Sequence, residues 1–236
     1  MIITDTQPHV LSHIKVNVDF QDFKQKLKKS GNNPEILKIA KKTLNQAKGI
    51  WHPKAVYQWF EFENIGQDNL GCIIQSSGSH VDLDFGYSSQ FLTHARHALV
   101  SVYTVGQELE QESMNASSKG DLLEAYFLDL IGLIVLGKVE QTVKEIAEKQ
   151  ARYLGWGVSP FLSPGSIHGW KLEEQLKLCT LLPLENINVK IRSDAVLSPF
   201  KTISCLIGLG SGYDAVQVGT TCQICSKNHE CQMKQN

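Results

Sequence analysis

The sequence lacks the features that mark several common functional classes. Its 23 Lys and Arg residues are balanced by 24 Asp and Glu residues, so it has no basic excess of the kind that nucleic-acid and membrane-surface binders carry. Residues 1–16 contain no charged segment followed by an apolar one, which predicts no signal peptide. No P-loop, G-x-S-x-G or H-E-x-x-H motif is present. We therefore expect a cytoplasmic protein with neither nucleic acid nor membrane as a partner.

Long hydrophobic runs are also missing. The most apolar segment, residues 122–136, is interrupted by Glu124 and Asp129 and is too short to span a bilayer of about 30 Å. We expect it to form a buried helix instead. Hydrophobic residues make up 42% of the 236 positions, which is enough for one domain with a substantial core.

Besides residues 107–114 and 172–182, three segments have the sequence pattern of helices. Pro34 opens the first, since proline is tolerated in the first turn of a helix. Residues 91–98 form the second. The third begins at Asp121, where Glu124 has the spacing of a capping box, and runs to about Tyr153. Its first half is almost wholly apolar, which predicts a central position in the fold.

Short runs rich in β-branched and aromatic residues predict strands. They occupy residues 55–62, 71–75, 99–105 and 203–209. The order of these elements predicts an α+β fold with a central, mainly antiparallel or mixed sheet, a long central helix and flanking helices. We expect a single domain over residues 1–215, followed by a Cys-rich tail over residues 216–236.

Four segments carry a family resemblance through their order and spacing. They are residues 102–110, which include Gly106-Gln107-Glu108-Leu109-Glu110 after a β run, residues 120–132, residues 163–175, which include Ser163-Pro164-Gly165, and residues 199–208. Together they resemble the activation (reactivation) domain of vitamin B12-dependent methionine synthase, here in a free-standing form. The resemblance covers most of the chain.

The resemblance implies a function. In that family the domain binds S-adenosylmethionine and presents the methyl group to the corrinoid of a neighbouring module for reductive methylation. The cofactor performs the chemistry while the protein supplies binding and orientation, so no catalytic side chain is implied. Because this chain has no Asp-x-His-x-x-Gly cobalamin-binding motif, we expect the corrinoid to reside on a partner, either a corrinoid protein or a cobalamin-dependent methyltransferase.

The resemblance places the S-adenosylmethionine site on residues 161–166, which we name the Pro-Gly loop. In the family this loop usually reads Arg-x-x-Pro-Gly-Tyr. The Arg binds the carboxylate of the methionyl group, and the Gly lets the backbone approach the ligand. Pro164-Gly165 matches this pattern, whereas Phe161 stands at the Arg position and Ser166 at the Tyr position.

A set of ligand-binding residues follows from the same resemblance. It comprises Phe161, Ser163, Pro164, Gly165, Ser166, Trp170 and Glu174. Arg152 and Arg192 are candidates to supply, from elsewhere in the chain, the cation that the loop lacks.

Ordinary structural roles also account for these residues. Pro164-Gly165 suits any tight turn, because the two residues set the required backbone angles. Trp170 can be a core aromatic residue. Glu174 stands in the first turn of a predicted helix, where acidic side chains interact favourably with the helix dipole.

Three of the six cysteines cluster near the C-terminus, at Cys222, Cys225 and Cys231. A Cys-x-x-Cys turn can place two thiolates on one metal ion. His229 could complete a zinc site, or Cys205 could complete an iron–sulfur cluster. This gives a second hypothesis, in which the protein is a corrinoid-protein docking or redox module with a Cys-ligated metal and no bound S-adenosylmethionine. A flexible tail of free thiols is the plain alternative.

Overall fold

The computed structural model of the protein describes residue 3 and residues 7–27, 33–64, 70–74, 80–166 and 170–219. Within these ranges a seven-stranded sheet has the order β4-β3-β2-β5-β9-β6, and β1 also pairs with β2. All of its pairings are antiparallel. Its strands are β1 (His9–Leu11), β2 (Lys54–Asn64), β3 (Leu70–Ile74), β4 (His80–Asp84), β5 (His97–Thr104), β6 (Gly157–Val158) and β9 (Thr202–Gly210). Two further strands, β7 (Lys190–Ile191) and β8 (Leu197–Ser198), form a separate hairpin.

Five α-helices accompany the sheet in the same part of the chain. They are α1 (Phe20–Lys26), α2 (Pro34–Ala47), α3 (Glu108–Ser118), α4 (Leu122–Leu154) and α5 (Glu174–Cys179), with short 3-10 segments at Gly86–Phe91 and Leu184–Ile187. The predicted start of α2 at Pro34 is confirmed, and the Asn33 side chain accepts a hydrogen bond from the Glu35 N–H at 2.9 Å. The Asn33 cap satisfies one of the backbone donors that the first turn leaves free.

The long helix α4 has the predicted extent but a different N-terminus. Asp121 is its N-cap and makes no side-chain capping bond, so the predicted capping box with Glu124 is wrong. Gly155 ends the helix in the left-handed conformation that glycine adopts without strain, at φ 66°. The helix packs against α3 on one side and against β5 and β9 on the other. It is therefore the central helix that the sequence predicts.

Strand β5 lies in the middle of the sheet and is buried along its whole length. Its side chains alternate between the two faces, as the pleat requires. Leu99 and Tyr103 enter the core beneath α1, α2 and α4, whereas Val100 and Val102 enter a second core that α5 covers. The α+β fold with a central antiparallel sheet, a long helix and flanking helices is confirmed.

One predicted helix is wrong. Residues 91–98 contain the end of a 3-10 segment, a turn and the beginning of β5 at His97. Strand pairing overrides their local helical pattern, because the segment that begins at His97 pairs with β2 on one side and with β9 on the other. Among the helices in the described ranges, none combines the length and the apolarity needed to cross a membrane.

The start of β9 is attached to α4 by Lys201. The Lys201 side chain passes over Gly132, where an added Cβ would collide with it, and its Nζ lies 2.6 Å from Asp129 Oδ1. Glu110 on α3 supports the same turn by accepting a hydrogen bond from the Phe200 N–H at 2.9 Å. Three of the four segments that carry the family resemblance therefore meet at this point.

Candidate functional site

The Pro-Gly loop follows the edge strand β6 and runs beside β9. Leu162 exchanges backbone hydrogen bonds with Leu206 of β9, at 3.1 and 2.8 Å. On the other side, the Phe161 N–H donates to the Gly219 carbonyl at 3.1 Å. The beginning of the loop is thus held between β9 and the segment that follows it, which fixes where the turn at Pro164-Gly165 lies.

The turn itself is closed by backbone hydrogen bonds. The Gly165 N–H donates to the Trp170 carbonyl at 2.9 Å, and the Ser166 N–H donates to the Ser163 carbonyl at 3.2 Å. Gly165 has φ +76°, which L side chains rarely adopt. Ser163 and Pro164 are buried, whereas Gly165 and Ser166 are exposed. The loop therefore presents bare backbone to the solvent at the position where the resemblance places a ligand.

The Phe161 side chain is buried, and a cation lies over it. The Nζ of Lys144, on α4, is 5.2 Å from the centre of the Phe161 ring. The same Nζ lies 2.6 Å from Glu140 Oε1, one turn earlier on the helix. A lysine from the long helix thus brings a positive charge to the loop position where the resembled family carries its arginine.

The two arginines named as substitutes lie elsewhere. Arg152 is exposed near the end of α4, with its Nη1 3.8 Å from Glu148 Oε2. Arg192 is exposed on the β7–β8 hairpin, with its Nη2 2.7 Å from Asp194 Oδ2. Sequence reasoning missed Lys144 because the second half of α4 carries many charged residues, which normally indicate a solvent-exposed face.

Lys144 belongs to a buried polar network between α4 and the sheet. The Tyr103 hydroxyl donates to Glu140 Oε2 at 3.3 Å, and burial together with this carboxylate raises the pKa of Tyr103. One turn further along α4, Glu148 Oε1 accepts a hydrogen bond from the Val218 N–H at 2.9 Å. These side chains hold both the loop and the returning segment against α4.

Trp170 and Glu174 anchor the far end of the loop. Trp170 is buried in the core opposite α4, with its ring centre 4.8 Å from that of Phe85. Glu174 Oε2 accepts a hydrogen bond from the Asp84 N–H at 2.9 Å, while its Oε1 lies 2.9 Å from Lys177 Nζ. Both residues have structural partners. The indole N–H of Trp170, however, is buried and finds no hydrogen-bond partner in the part of the chain that the structure describes.

The predicted ligand residues are therefore only partly brought together. Ser163, Pro164, Gly165 and Ser166 form one turn. Phe161 points to the core beneath α4, and Trp170 points to the core on the opposite face of the sheet. A ligand on this loop would meet the turn and its exposed backbone first.

The position of Cys205 does not support a role as a metal ligand. It is fully buried between the sheet and α4, and burial and the nearby Glu140 raise the pKa of its thiol, which disfavours the thiolate that metals require. Among the described residues, no three His, Cys, Asp or Glu side chains form a group that could hold a metal ion. Cys222, Cys225, Cys231 and His229 lie outside the described residues.

Comparisons with known proteins agree with the fold. Neither a protein-family model nor a curated protein sequence matches this chain. The α+β class with an antiparallel sheet and a long helix is shared with a solved structure, the MetH reactivation domain bound to AdoHcy. The likeness has a TM-score of 0.57 at 12% sequence identity, and it covers 90% of this chain and 82% of that chain. The fold that the sequence resemblance implies is therefore confirmed.

Proposed function

We propose that this protein binds S-adenosylmethionine on the Pro-Gly loop and assists the reductive methylation of a corrinoid held by a partner protein. Two facts support the proposal. The chain shares its fold with a reactivation domain whose structure contains AdoHcy, the form of S-adenosylmethionine that has lost its methyl group. Its Pro-Gly loop also leaves Gly165 and Ser166 exposed, so a ligand can approach the backbone.

The position of Lys144 is the observation that carries the proposal. An ammonium group has three N–H donors, and Glu140 accepts from one of them at 2.6 Å. Donors therefore remain for the carboxylate of a methionyl group. Because Glu140 and the Phe161 ring fix the ammonium in place, little side-chain entropy is lost when a ligand binds. Lys144 would thus take over the task that an arginine performs in the resembled family.

The protein's part in the reaction is to bind and orient the methyl donor. In reductive methylation the partner's corrinoid would accept the methyl group from the sulfonium of S-adenosylmethionine, a separate one-electron donor would supply the electron, and AdoHcy would be left. Lys144 would hold the carboxylate end of the donor, and the Gly165 backbone would lie against its body. The small side chain of Ser166, at the usual Tyr position, leaves that side of the loop open for the partner's corrinoid.

Calorimetric titration of the purified protein with S-adenosylmethionine and with AdoHcy tests the proposal. We expect saturable binding with a Kd between about 1 μM and 1 mM. Gly165→Ala strains a loop glycine at φ +76° and brings Cβ to 3.1 Å from Leu172 Cδ1, so it should weaken binding. Gly155→Ala is the matched control, since it strains a glycine at φ +66° that has no atom within 4 Å of its Cβ position.

Absence of binding at about 5 mM S-adenosylmethionine would refute the proposal. If the two glycine substitutions weaken binding equally, the ligand does not bind at the Pro-Gly loop.

The redox-module hypothesis rests on Cys222, Cys225 and Cys231, all outside the described residues. Metal and sulfide analysis after anaerobic purification tests it separately.

A further inference from the structure

A cavity of about 630 Å³ lies apart from the Pro-Gly loop, and none of residues 161–166 lines it. Its walls come from the Gly106-Gln107-Glu108 turn at the start of α3, from Lys54 at the start of β2, and from segments on either side, namely residues 12–13, 52, 185, 187–190 and 199. A volume of this size is typical of small-molecule sites, which span roughly 300–1,000 Å³. The cavity therefore needs an explanation of its own.

Glu108 provides the first indication of a ligand. Its Oε2 atom is buried and has no hydrogen-bond partner among the described residues. Gly106 makes this position possible, since a Cβ there would lie 2.5 Å from that oxygen. An acidic residue in the first turn of α3 interacts favourably with the helix dipole, but the dipole does not supply the missing donor. A buried carboxylate oxygen is costly without a donor, and because Glu108 also lines the cavity, a ligand that carries a donor and draws this carboxylate toward the cavity would relieve that cost.

The rest of the lining defines the complementary part of such a ligand. Lys54 and Lys190 add two positive charges to the walls, which also contain the acidic Glu185. The walls also contain His13 and His52, and the formal charges of the two Lys and two Glu residues balance, which disfavours a purely anionic or purely cationic ligand. Ile187, Val189 and Pro199 are buried residues that supply an apolar surface.

We propose that this cavity binds a small α-amino acid with an apolar side chain. Glu108 receives the ammonium group, and Lys54 and Lys190 receive the carboxylate. The side chain lies on Ile187, Val189 and Pro199. The proposal is independent of the Pro-Gly loop, and it assigns this cavity to the small amino acid and the loop to S-adenosylmethionine, although both ligands carry the same zwitterionic head group.

Titration with L-norleucine tests the assignment, with hexanoate and n-pentylamine as fragments that each lack one charged group. We expect saturable binding of L-norleucine at or below about 10 mM, and binding of each fragment at least about tenfold weaker. No saturation by L-norleucine at about 50 mM would overturn the proposal, as would a fragment that binds equally well.

Variants locate the site. Glu108→Gln should weaken L-norleucine binding at least about tenfold. Glu112→Gln, an exposed position on the same helix, should leave the affinity unchanged. Lys54→Met provides a second, independent loss in case Glu108→Gln perturbs folding. An unchanged affinity in both Glu108→Gln and Lys54→Met would overturn the assignment.

The same variants separate this proposal from the S-adenosylmethionine proposal. If S-adenosylmethionine binds at the Pro-Gly loop, its affinity should be unaffected by Glu108→Gln and reduced by Lys144→Met. L-norleucine should show the opposite pattern. If Glu108→Gln weakens the binding of both L-norleucine and S-adenosylmethionine while Lys144→Met weakens neither, the two ligands share one cavity. That result would contradict the independence of the two sites.

Discussion

Two buried lysines lie at α4, one beside its first half and one in its second half, and they differ in what surrounds them. Lys201 reaches α4 from the start of β9, and Lys144 belongs to the helix itself. Their side chains are 9% and 8% exposed, and each Nζ lies 2.6 Å from a carboxylate oxygen. The partner of Lys201, Asp129, is 53% exposed, whereas the partner of Lys144, Glu140, is 18% exposed.

The comparison teaches that burial of a lysine does not by itself indicate a binding role. Lys201 lies across Gly132 and joins two parts of the chain, so its function is structural. Lys144 lies over Phe161, beside a loop with exposed backbone, and its pair is shielded from water. The predictions below separate these two roles.

The largest effect is expected for Lys144→Met. Removal of the ammonium leaves Glu140 in a shielded site without its partner, which should lower the free energy of unfolding by about 3 kcal/mol. Lys138→Met is a matched control on the same helix, since the Lys138–Asp22 pair is more exposed and should contribute only about 0.5 kcal/mol. Urea denaturation measures both. Equal losses in the two variants would mean that Lys144 is no more buried in solution than Lys138.

The next effect concerns the two glycines of α4. Gly137→Ala should stabilise the protein by about 0.5–1 kcal/mol, because no atom lies within 4 Å of its Cβ position and alanine favours the helix. Gly132→Ala should destabilise it by about 1 kcal/mol, because the new methyl group displaces Lys201 from Asp129. Thermal unfolding of both variants checks the signs. A gain in stability at both positions would show that Lys201 does not rest on Gly132.

A smaller effect is expected for Tyr103→Phe. The hydroxyl is buried and donates to Glu140, so its removal should cost about 1 kcal/mol and loosen the support of Lys144. Tyr126→Phe, on an exposed position of α4, should change the free energy of unfolding by less than about 0.5 kcal/mol. If Tyr103→Phe leaves the free energy of unfolding unchanged, the Tyr103 hydroxyl does not contribute to the network beneath the loop.

The smallest effect is a pH dependence that involves neither lysine. Burial lowers the pKa of His97 below its ordinary value of 6.5. The unfolded chain then binds the proton more readily than the folded protein, so stability should fall as the pH drops below about 6.5. Urea denaturation at several pH values measures this, and His97→Gln should flatten the profile. An unchanged slope in His97→Gln would assign the pH dependence to other groups.

Much of the fold was predictable from local patterns. The helix at Pro34–Ala47 follows from its apolar periodicity and from Pro34 at its start, and the extent of Leu122–Leu154 follows from its apolar first half and its amphipathic second half. The central strands follow from β-branched and aromatic runs. Residues 91–98 were not predictable, because their conformation depends on pairing with strands far away in the sequence.

The candidate site likewise combines one feature that the local sequence predicts with others that depend on the tertiary fold. The turn at Pro164-Gly165 is a local feature, and the sequence predicts it through the backbone angles that these residues adopt. The role of Lys144 depends on the loop and residues 213–219 returning to α4, which no local pattern encodes. The placement of Phe161 and Trp170 on opposite faces of the sheet is likewise a result of the tertiary fold.

A double comparison of ligand and variant tests the central claim most directly. Wild-type protein and the Lys144→Met and Lys144→Arg variants are titrated with S-adenosylmethionine and with decarboxylated S-adenosylmethionine. We predict that the wild type prefers the carboxylate-bearing ligand by about tenfold or more, that Lys144→Arg keeps this preference, and that Lys144→Met abolishes it. If Lys144→Met weakens both ligands equally, or leaves both unchanged, Lys144 does not bind the carboxylate and the proposed site is contradicted.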